Sequence, residues 1–452
     1  MNMKKLTVLA AVWLLGGGNE AVRAQAIPSD SLALVDLYDS TGGPAWQTSW
    51  NLLDPVSSWH GVELFGNRVT ALVLSANGLT GVLPASLGDL DALGALDLSF
   101  NELSGIVPVL PENIAFLDLS HNSLSGAVPV ALHAWYINLS HNAFSGLVPA
   151  ALSSAATLSE LDLSHNDLEG SLPSPHAWHG LGYFNLSHNR FSGSIPASFG
   201  NCDQLTVFDV SHNQITGPLP SAFNNLIFLN ELRINDNQMD ELPSIVGPSL
   251  SGAFFAQNNR FDFDDIVPNV FKFVGASEYS YAPQDSIDAA QELEVAEGDA
   301  VTVSVSTSGE GNRYQWYFNG DPFAEASTVV FTATQSGVLT CAVNNDLAPE
   351  LTLFRRPIRL NVVAVQYPGD ANRDRVCDAA DVFVIAGMYG AVGPARGQTG
   401  VVWQAYPAAQ DWSDEFDYRG TALNAKFCDA DGDGAVTLFD LAAAVLNRGL
   451  GY

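Results

Sequence analysis

Leu96-Asp97-Leu98-Ser99-Phe100-Asn101 and Leu161-Asp162-Leu163-Ser164-His165-Asn166 are two copies of one phrase, and that phrase decides the fold. Its closing asparagine recurs at Asn77, Asn101, Asn122, Asn142, Asn166, Asn189, Asn213, Asn237 and Asn259, in steps between 20 (122 to 142) and 24 (142 to 166) residues. Alternating leucines point inward from a short strand, while the asparagine turns the chain and bonds neighbouring backbone with a buried amide. One such unit cannot bury its apolar face alone. Stacked units share a continuous core, so the array needs a cap at each end.

A second phrase follows each asparagine, as in Leu103-Ser104-Gly105-Ile106-Val107-Pro108 and Phe191-Ser192-Gly193-Ser194-Ile195-Pro196. Its glycine column (Gly81, Gly105, Gly126, Gly146, Gly170, Gly193, Gly217) fits a turn that needs permissive φ, and its prolines suit extended backbone. This pattern resembles the plant-type class of leucine-rich repeats, which implies a solenoid over residues 69–275. Residues 27–68 carry Ala33-Leu34-Val35-Asp36-Leu37-Tyr38, Gly43-Pro44-Ala45-Trp46 and Ser58-Trp59-His60-Gly61-Val62. They resemble the N-terminal cap of that class without its usual cysteine pair, so aromatic and aliphatic side chains must cover the first coil. The aromatic-rich stretch Phe254 to Phe273 is the expected C-terminal cap.

Between the inward leucines one side chain per unit faces the concave sheet: Val73, Asp97, Asp118, Asn138, Asp162, Asn185, Asp209, Arg233 and Phe255. Coils stack about 4.8 Å apart, so Asp97 to Arg233 form a polar, largely acidic ladder. Part of it is the consensus of the repeat; the functional reading is a groove for a protein or glycan partner with polar or cationic groups. His121, His141, His165, His188 and His212 hold one position in five successive units, a feature common in this repeat class and the basis of a lesser reading as a pH-sensitive or metal-binding ridge. Asn138-Leu139-Ser140 and Asn185-Leu186-Ser187 match the N-glycosylation pattern, but here the asparagine is merely the concave residue.

Residues 1–26 read as a secretory signal: Lys4 and Lys5, an apolar run from Leu6 to Leu15, and Ala24-Gln25-Ala26 as a cleavage site. With no later apolar stretch of about 20 residues, no transmembrane segment is expected and the protein should be secreted or at the cell surface. The formal net charge of −31 repels nucleic acid and anionic lipid.

Residues 286–365 change to short Val/Thr-rich alternating runs, such as Ala300-Val301-Thr302-Val303-Ser304-Val305, which predict a β-sandwich. Tyr314-Gln315-Trp316-Tyr317-Phe318 and Ser336-Gly337-Val338-Leu339-Thr340-Cys341 resemble strands C and F of an immunoglobulin-like domain, with Trp316 in its core. No cysteine precedes Trp316 to pair with Cys341, and Leu339 stands where the corner tyrosine would be. This domain is expected to act as a spacer.

In residues 366–452, two segments place oxygen donors at EF-hand offsets. The first is Asp370, Asn372, Asp374, Val376 by its carbonyl, Asp378 and Asp381; the second is Asp429, Asp431, Asp433, Ala435 by its carbonyl, Thr437 and Asp440. Both are expected to bind Ca2+. Gly434 provides the sharp turn of the second loop where the first has Arg375, so the first site should be weaker. Asp at offset 12, a helical segment after each loop and the lack of an entering helix resemble dockerin modules, in the longer form found in secreted multidomain bacterial proteins. Ala379-Ala380 and Leu438-Phe439 lack the small hydroxyl residues that contact cohesin, which argues against cohesin docking. Cys377 and Cys428 lie in and beside these loops and are candidates for a disulfide.

The fold class expected is thus mainly β with α elements: a leucine-rich-repeat solenoid, an immunoglobulin-like β-sandwich and a small helical dockerin-like module. No catalytic motif appears, and the reading is an exported, non-enzymatic recognition or adhesion protein. The alternative is a scaffold or accessory subunit of a polysaccharide-degrading assembly docked through the dockerin-like module.

Overall fold

The computed structural model describes residues 26–363 continuously. Beyond them it describes only the short strands Val365–Gln366, Val376–Cys377, Tyr406–Pro407, Glu415–Tyr418, Thr421–Asn424 and Leu450–Gly451. The signal segment 1–25, most of the expected calcium ligands (Asp370, Asn372, Asp374, Asp378, Asp381, Asp429, Asp431, Asp433, Ala435, Thr437, Asp440) and Cys428 lie outside the described residues. The described chain forms two compact units: residues up to 286 with 307–312 and 344–353, and residues 287–306, 313–343 and 354 onward.

The first unit is built on an eleven-stranded sheet that takes one short strand from each coil. Its strands include Arg68–Val73, Ala95–Asp97, Phe116–Asp118, Tyr136–Asn138, Glu160–Asp162, Tyr183–Asn185, Val207–Asp209, Glu231–Arg233 and Ala253–Phe255. Pairing is parallel and in register, as between Phe116-Leu117-Asp118 and Tyr136-Ile137-Asn138. The middle residue of each strand points inward: Leu72, Leu96, Leu117, Phe184 and Phe208 are fully buried. Burying one such side chain stabilises by about 1.5–3 kcal/mol, and every coil repeats it. A second, eight-stranded sheet carries the glycine phrase, with Gly81, Gly105 and Gly126 at φ between 76° and 81°, as expected. Where coils are longer, 3₁₀ turns such as Ala150–Ser154 and Ala197–Asn201 follow the prolines and complete the circuit.

The asparagine column behaves as its chemistry requires. Asn189 Nδ2 donates to the carbonyls of Leu163, Leu186 and Ser187 at 3.0, 3.1 and 3.2 Å, and its Oδ1 accepts the Leu168 amide at 3.0 Å. Each amide thereby joins its own coil to the one before it.

Aromatic rings close the N-terminal end without cysteines. Helix α1 (Pro28–Ser40) begins with proline in its first turn, and its fully buried Asp30 accepts the Val69 amide at 2.9 Å and pairs with Arg68 at 3.1 Å. Behind it Trp50 packs on Trp46 at 4.8 Å and on Trp59 at 4.7 Å, with Tyr38 at 6.0 Å. The strand Val62–Phe65 then pairs antiparallel with Arg68–Val73 and reverses the polarity of the sheet at its edge.

At the other end, helices α2 (Phe263–Ile266) and α3 (Val270–Gly275) cover the last coil. Phe273 stacks on Phe254 at 3.9 Å and meets Tyr281 at 5.1 Å. The strand Glu278–Ser280 pairs in parallel with Ala253–Phe255, so the long sheet continues past the boundary expected at residue 275. Gln284 then takes the part of the next asparagine. Its Oε1 accepts the Asn259 amide at 3.0 Å, and its Nε2 donates to the carbonyls of Ala256 and Tyr281 at 3.0 and 2.8 Å.

In the second unit one sheet includes Gln291–Ala296, Ile358–Val363, Gly337–Asn345, Asn312–Phe318 and Asp321–Ala324; Ala300–Ser304 pairs separately with Thr328–Thr332. Trp316 is fully buried and its Nε1 donates to the Ala326 carbonyl at 2.8 Å. Cys341 is a free, fully buried thiol pushed up to about 11 by burial. In the C-terminal segment, Val376–Cys377 pairs antiparallel with Leu450–Gly451.

Candidate ligand-binding arc

The sequence-read ladder is assembled as a single row. Val73, Asp97, Asp118, Asn138, Asp162, Asn185, Asp209, Arg233 and Phe255 each end a strand of the long sheet, and all are partly exposed. In-register parallel pairing aligns them, as with Asp97 opposite Asp118 and Asp209 opposite Arg233.

The row has a structural duty as well. Asp118 Oδ1 accepts the Ser120 amide at 3.1 Å and the Ser120 hydroxyl at 2.6 Å. The same pair of bonds recurs at Asp97 with Ser99, Asn138 with Ser140, Asp162 with Ser164 and Asp209 with Ser211. At these five rungs one side-chain oxygen fixes the turn that follows the strand, which accounts for the Leu-Asp-Leu-Ser consensus. At Asp162 the second oxygen also takes the Tyr183 hydroxyl at 3.4 Å.

Alternation about the inward residue puts two side chains per strand on this face, and the sequence reading used only the second of them. The first positions are Ala71, Ala95, Phe116, Tyr136, Glu160, Tyr183, Val207, Glu231 and Ala253. At one end they form a buried apolar cluster in which Phe116 stacks on Tyr136 at 4.5 Å beside Ala71 and Ala95, with the partly buried Trp135, 5.8 Å from Phe116, and Val73 packed against it. Toward the other end Glu160 and Glu231 add carboxylates to those of Asp162 and Asp209. Arg233 is drawn to its own strand: it pairs with Glu231 at 2.5 Å and lies 5.8 Å from the Phe255 ring centroid.

Burial governs the ionisation here. It raises the Asp209 carboxyl above the ordinary range, against the bonds from Ser211 that favour the charged form. Burial and the nearby Asp162 charge push the Tyr183 phenol up to about 12.

Three residues beyond each ladder position stands a column of positive-φ residues: Ala76, Phe100, His121, His141, His165, His188, His212, Asp236 and Asn258, all between 51° and 57°. Its five imidazoles are stacked ring on ring at centroid separations of 4.2 Å (His121–His141), 4.1 Å (His141–His165), 4.1 Å (His165–His188) and 4.0 Å (His188–His212). Phe100 extends the stack at 4.1 Å from His121, and Asp236 ends it at 3.4 Å from His212 Nε2. Burial and then neighbouring imidazole charge lower the pKa of His121, His165 and His188 below the ordinary 6.5.

Coils of this kind stack as a repeat solenoid with one parallel strand from each coil. Residues 113–135, 157–177, 180–202 and 204–226 match the Leucine Rich Repeat family model. A probable inactive receptor kinase of Arabidopsis thaliana is 37% identical over 86 residues, which is 19% of this chain and 13% of that protein. The leucine-rich repeat protein FLOR 1 of the same plant is 34% identical over 82 residues, 18% of this chain and 25% of that protein. The chain thus spans a quarter or less of these relatives. Among solved structures, the leucine-rich-repeat ectodomain of the receptor kinase GASSHO1/SCHENGEN3 from Arabidopsis thaliana is similar at 24% identity and a TM-score of 0.45, over 52% of this chain and 33% of that one. No helix among the described residues is long and apolar enough to cross a membrane.

Proposed function

We propose that the protein is an exported, non-enzymatic recognition protein that binds an extended protein or glycan ligand along the arc. The observation that carries this reading is the in-register row of partly exposed polar side chains on the long sheet, Asp97, Asp118, Asn138, Asp162, Asn185 and Asp209, joined by the carboxylate of Glu160. Parallel rungs repeat one contact at each coil, which suits a ligand lying across many strands and carrying polar or cationic groups. The buried Phe116 and Tyr136 rings stiffen the sheet beneath the row, and the partly exposed Trp135 and Val73 beside them offer apolar contact. An immunoglobulin-like spacer and a dockerin-like module holding two Ca2+ ions complete the assignment, with the oxygen-rich loops at Asp370–Asp381 and Asp429–Asp440 as the ion ligands.

The test is capture of surface proteins and glycans by the immobilised full chain, with calcium and with chelator, beside the variant Asp97→Asn/Asp118→Asn/Asp162→Asn/Asp209→Asn. Asparagine keeps the turn-fixing oxygen and removes the charge. Capture lost in the variant and retained in chelator supports the arc. Capture retained in the variant and lost in chelator moves recognition to the calcium module and ends this reading. Calorimetry of the metal-free chain should show two calcium-binding events, the stronger abolished by Asp429→Ala.

A further inference from the structure

The histidine column is more than a set of turn residues. Left-handed backbone favours Asn, Asp and His over most side chains, yet Ala76 and Phe100 occupy the same conformation in this column. The backbone therefore does not dictate histidine. The five imidazoles are nevertheless contiguous, and their planes lie within 12–15° of parallel. Metal chelation does not fit this geometry: an imidazole lone pair lies in its ring plane, so stacked parallel rings aim past one another and cannot converge on one ion. Among the described residues no three metal-binding side chains come together.

We propose that the imidazole ladder is a proton-operated release device for the arc: neutral, it leaves the adjacent carboxylates to hold a basic, extended peptide segment; protonated, it becomes a cationic row that displaces it. The proposal rests on the reading of the arc as a binding surface and adds its regulation. Carboxylates reach the ladder from its own coils and from neighbouring ones. Asp162 acts on His121 and His165, Asp209 and Asp236 act on His188, and Asp236 pairs with His212. Charged imidazoles neutralise Asp162 and Asp209, two of the carboxylates that a basic ligand uses, and add like charge that opposes the ligand. Burial and mutual repulsion hold several rungs neutral at neutral pH, so the change of state falls in the mildly acidic range. Phe100 stacks on one end of the column, and Asp236 stands 3.4 Å from His212 Nε2 at the other.

The test measures binding of fluorescein-labelled decalysine to the full chain at about pH 7.5 and about pH 5, a span that crosses the imidazole range. Three proteins are compared: wild type, the variant His121→Asn/His141→Asn/His165→Asn/His188→Asn/His212→Asn, and the four-Asp→Asn arc variant. Asparagine tolerates the left-handed conformation, and His165→Asn/His188→Asn serves as a milder substitute if the five-site variant does not fold. Wild type should bind about tenfold more weakly at the acidic pH, and the five-site variant should lose about twofold or less. An equal acid loss in the histidine variant would assign the effect to carboxylate protonation and overturn the device while leaving the arc in place. Decalysine binding undiminished by the arc variant would overturn the arc itself, and the device with it. NMR titration supplies a readout without ligand: midpoints of His121, His165 and His188 below the ordinary imidazole value are expected, and midpoints of these three at that value would overturn the coupled ladder.

Discussion

The asparagine and histidine columns run side by side, one residue apart, through the same turns, and they use repetition in opposite ways. Each asparagine spends its amide on backbone: Asn189 makes four hydrogen bonds and is 9% exposed. Each histidine spends its ring on the next ring, along an edge where His141, His165, His188 and His212 remain exposed. Repetition of a buried amide adds one more satisfied link per coil. Repetition of a titratable ring adds a neighbour that opposes its charge, since two unit charges about 4 Å apart cost between about 1 kcal/mol in water and about 4 kcal/mol near a protein surface. Adjacent columns of one repeat thus give a rigid seam and a responsive one.

The sharpest way to break this comparison is Asn189→Ala, which strands the Leu168 amide and the Leu163 carbonyl inside the stack. A loss of about 3 kcal/mol in chemical denaturation is expected, and a loss below about 1 kcal/mol would show that the seam is not structural. Next comes the turn-fixing oxygen of the acidic row. Asp162→Ala should cost about 1 kcal/mol, whereas Asp162→Asn should stay within about 0.5 kcal/mol, because only the first removes the bonds to Ser164.

The histidine column should show itself in the pH dependence of melting. A folded-state pKa below the ordinary 6.5 means that the unfolded chain takes up protons first, so stability is held above that value and falls as the pH drops through and below it. Asp265 works in the opposite sense: burial raises its carboxyl to about 6 from 3.8, so the folded chain retains the proton longer and this contribution is lost as pH rises through that window. In an Asp265→Asn background the acid fall in Tm should therefore steepen, and the five-site histidine variant should flatten it. The smallest effect belongs to a single rung. His165→Asn at about pH 7.5 should change stability by no more than about 0.5 kcal/mol, since the ring is exposed and the backbone conformation suits asparagine.

Much of this was legible in the sequence because the information is periodic. The inward leucines, the asparagine amides, the positive-φ glycines and the row from Asp97 to Arg233 each announce themselves every 20 to 24 residues, and the missing cap cysteines pointed to aromatic packing in the segments of Tyr38, Trp46 and Trp59, which Trp50 joins in the structure. What escaped was non-periodic. Phe116, Tyr136, Glu160 and Tyr183 share a position, but Glu160 interrupts the aromatic run and small residues flank it, so no column stood out, although strand alternation alone would have placed them on the face. Gln284 stands 25 residues beyond Asn259 (284 minus 259) in a segment without the phrase, and only three-dimensional closure shows that it replaces an asparagine. The histidines were visible as a column; the ring-on-ring contact at 4.0–4.2 Å depends on a backbone twist that sequence does not spell out.

The reversed strand at the start of the array also bears on how copies of the protein meet one another. A stack of parallel coils is a template that another chain could extend indefinitely, in the manner of a fibre growing at its tip. Because Val62–Phe65 runs antiparallel to Arg68–Val73, a coil added at that margin in the direction of the others would meet an antiparallel neighbour instead of the parallel one that every internal coil meets. The array therefore ends at that margin on a strand that does not reproduce the parallel pairing of the coils behind it.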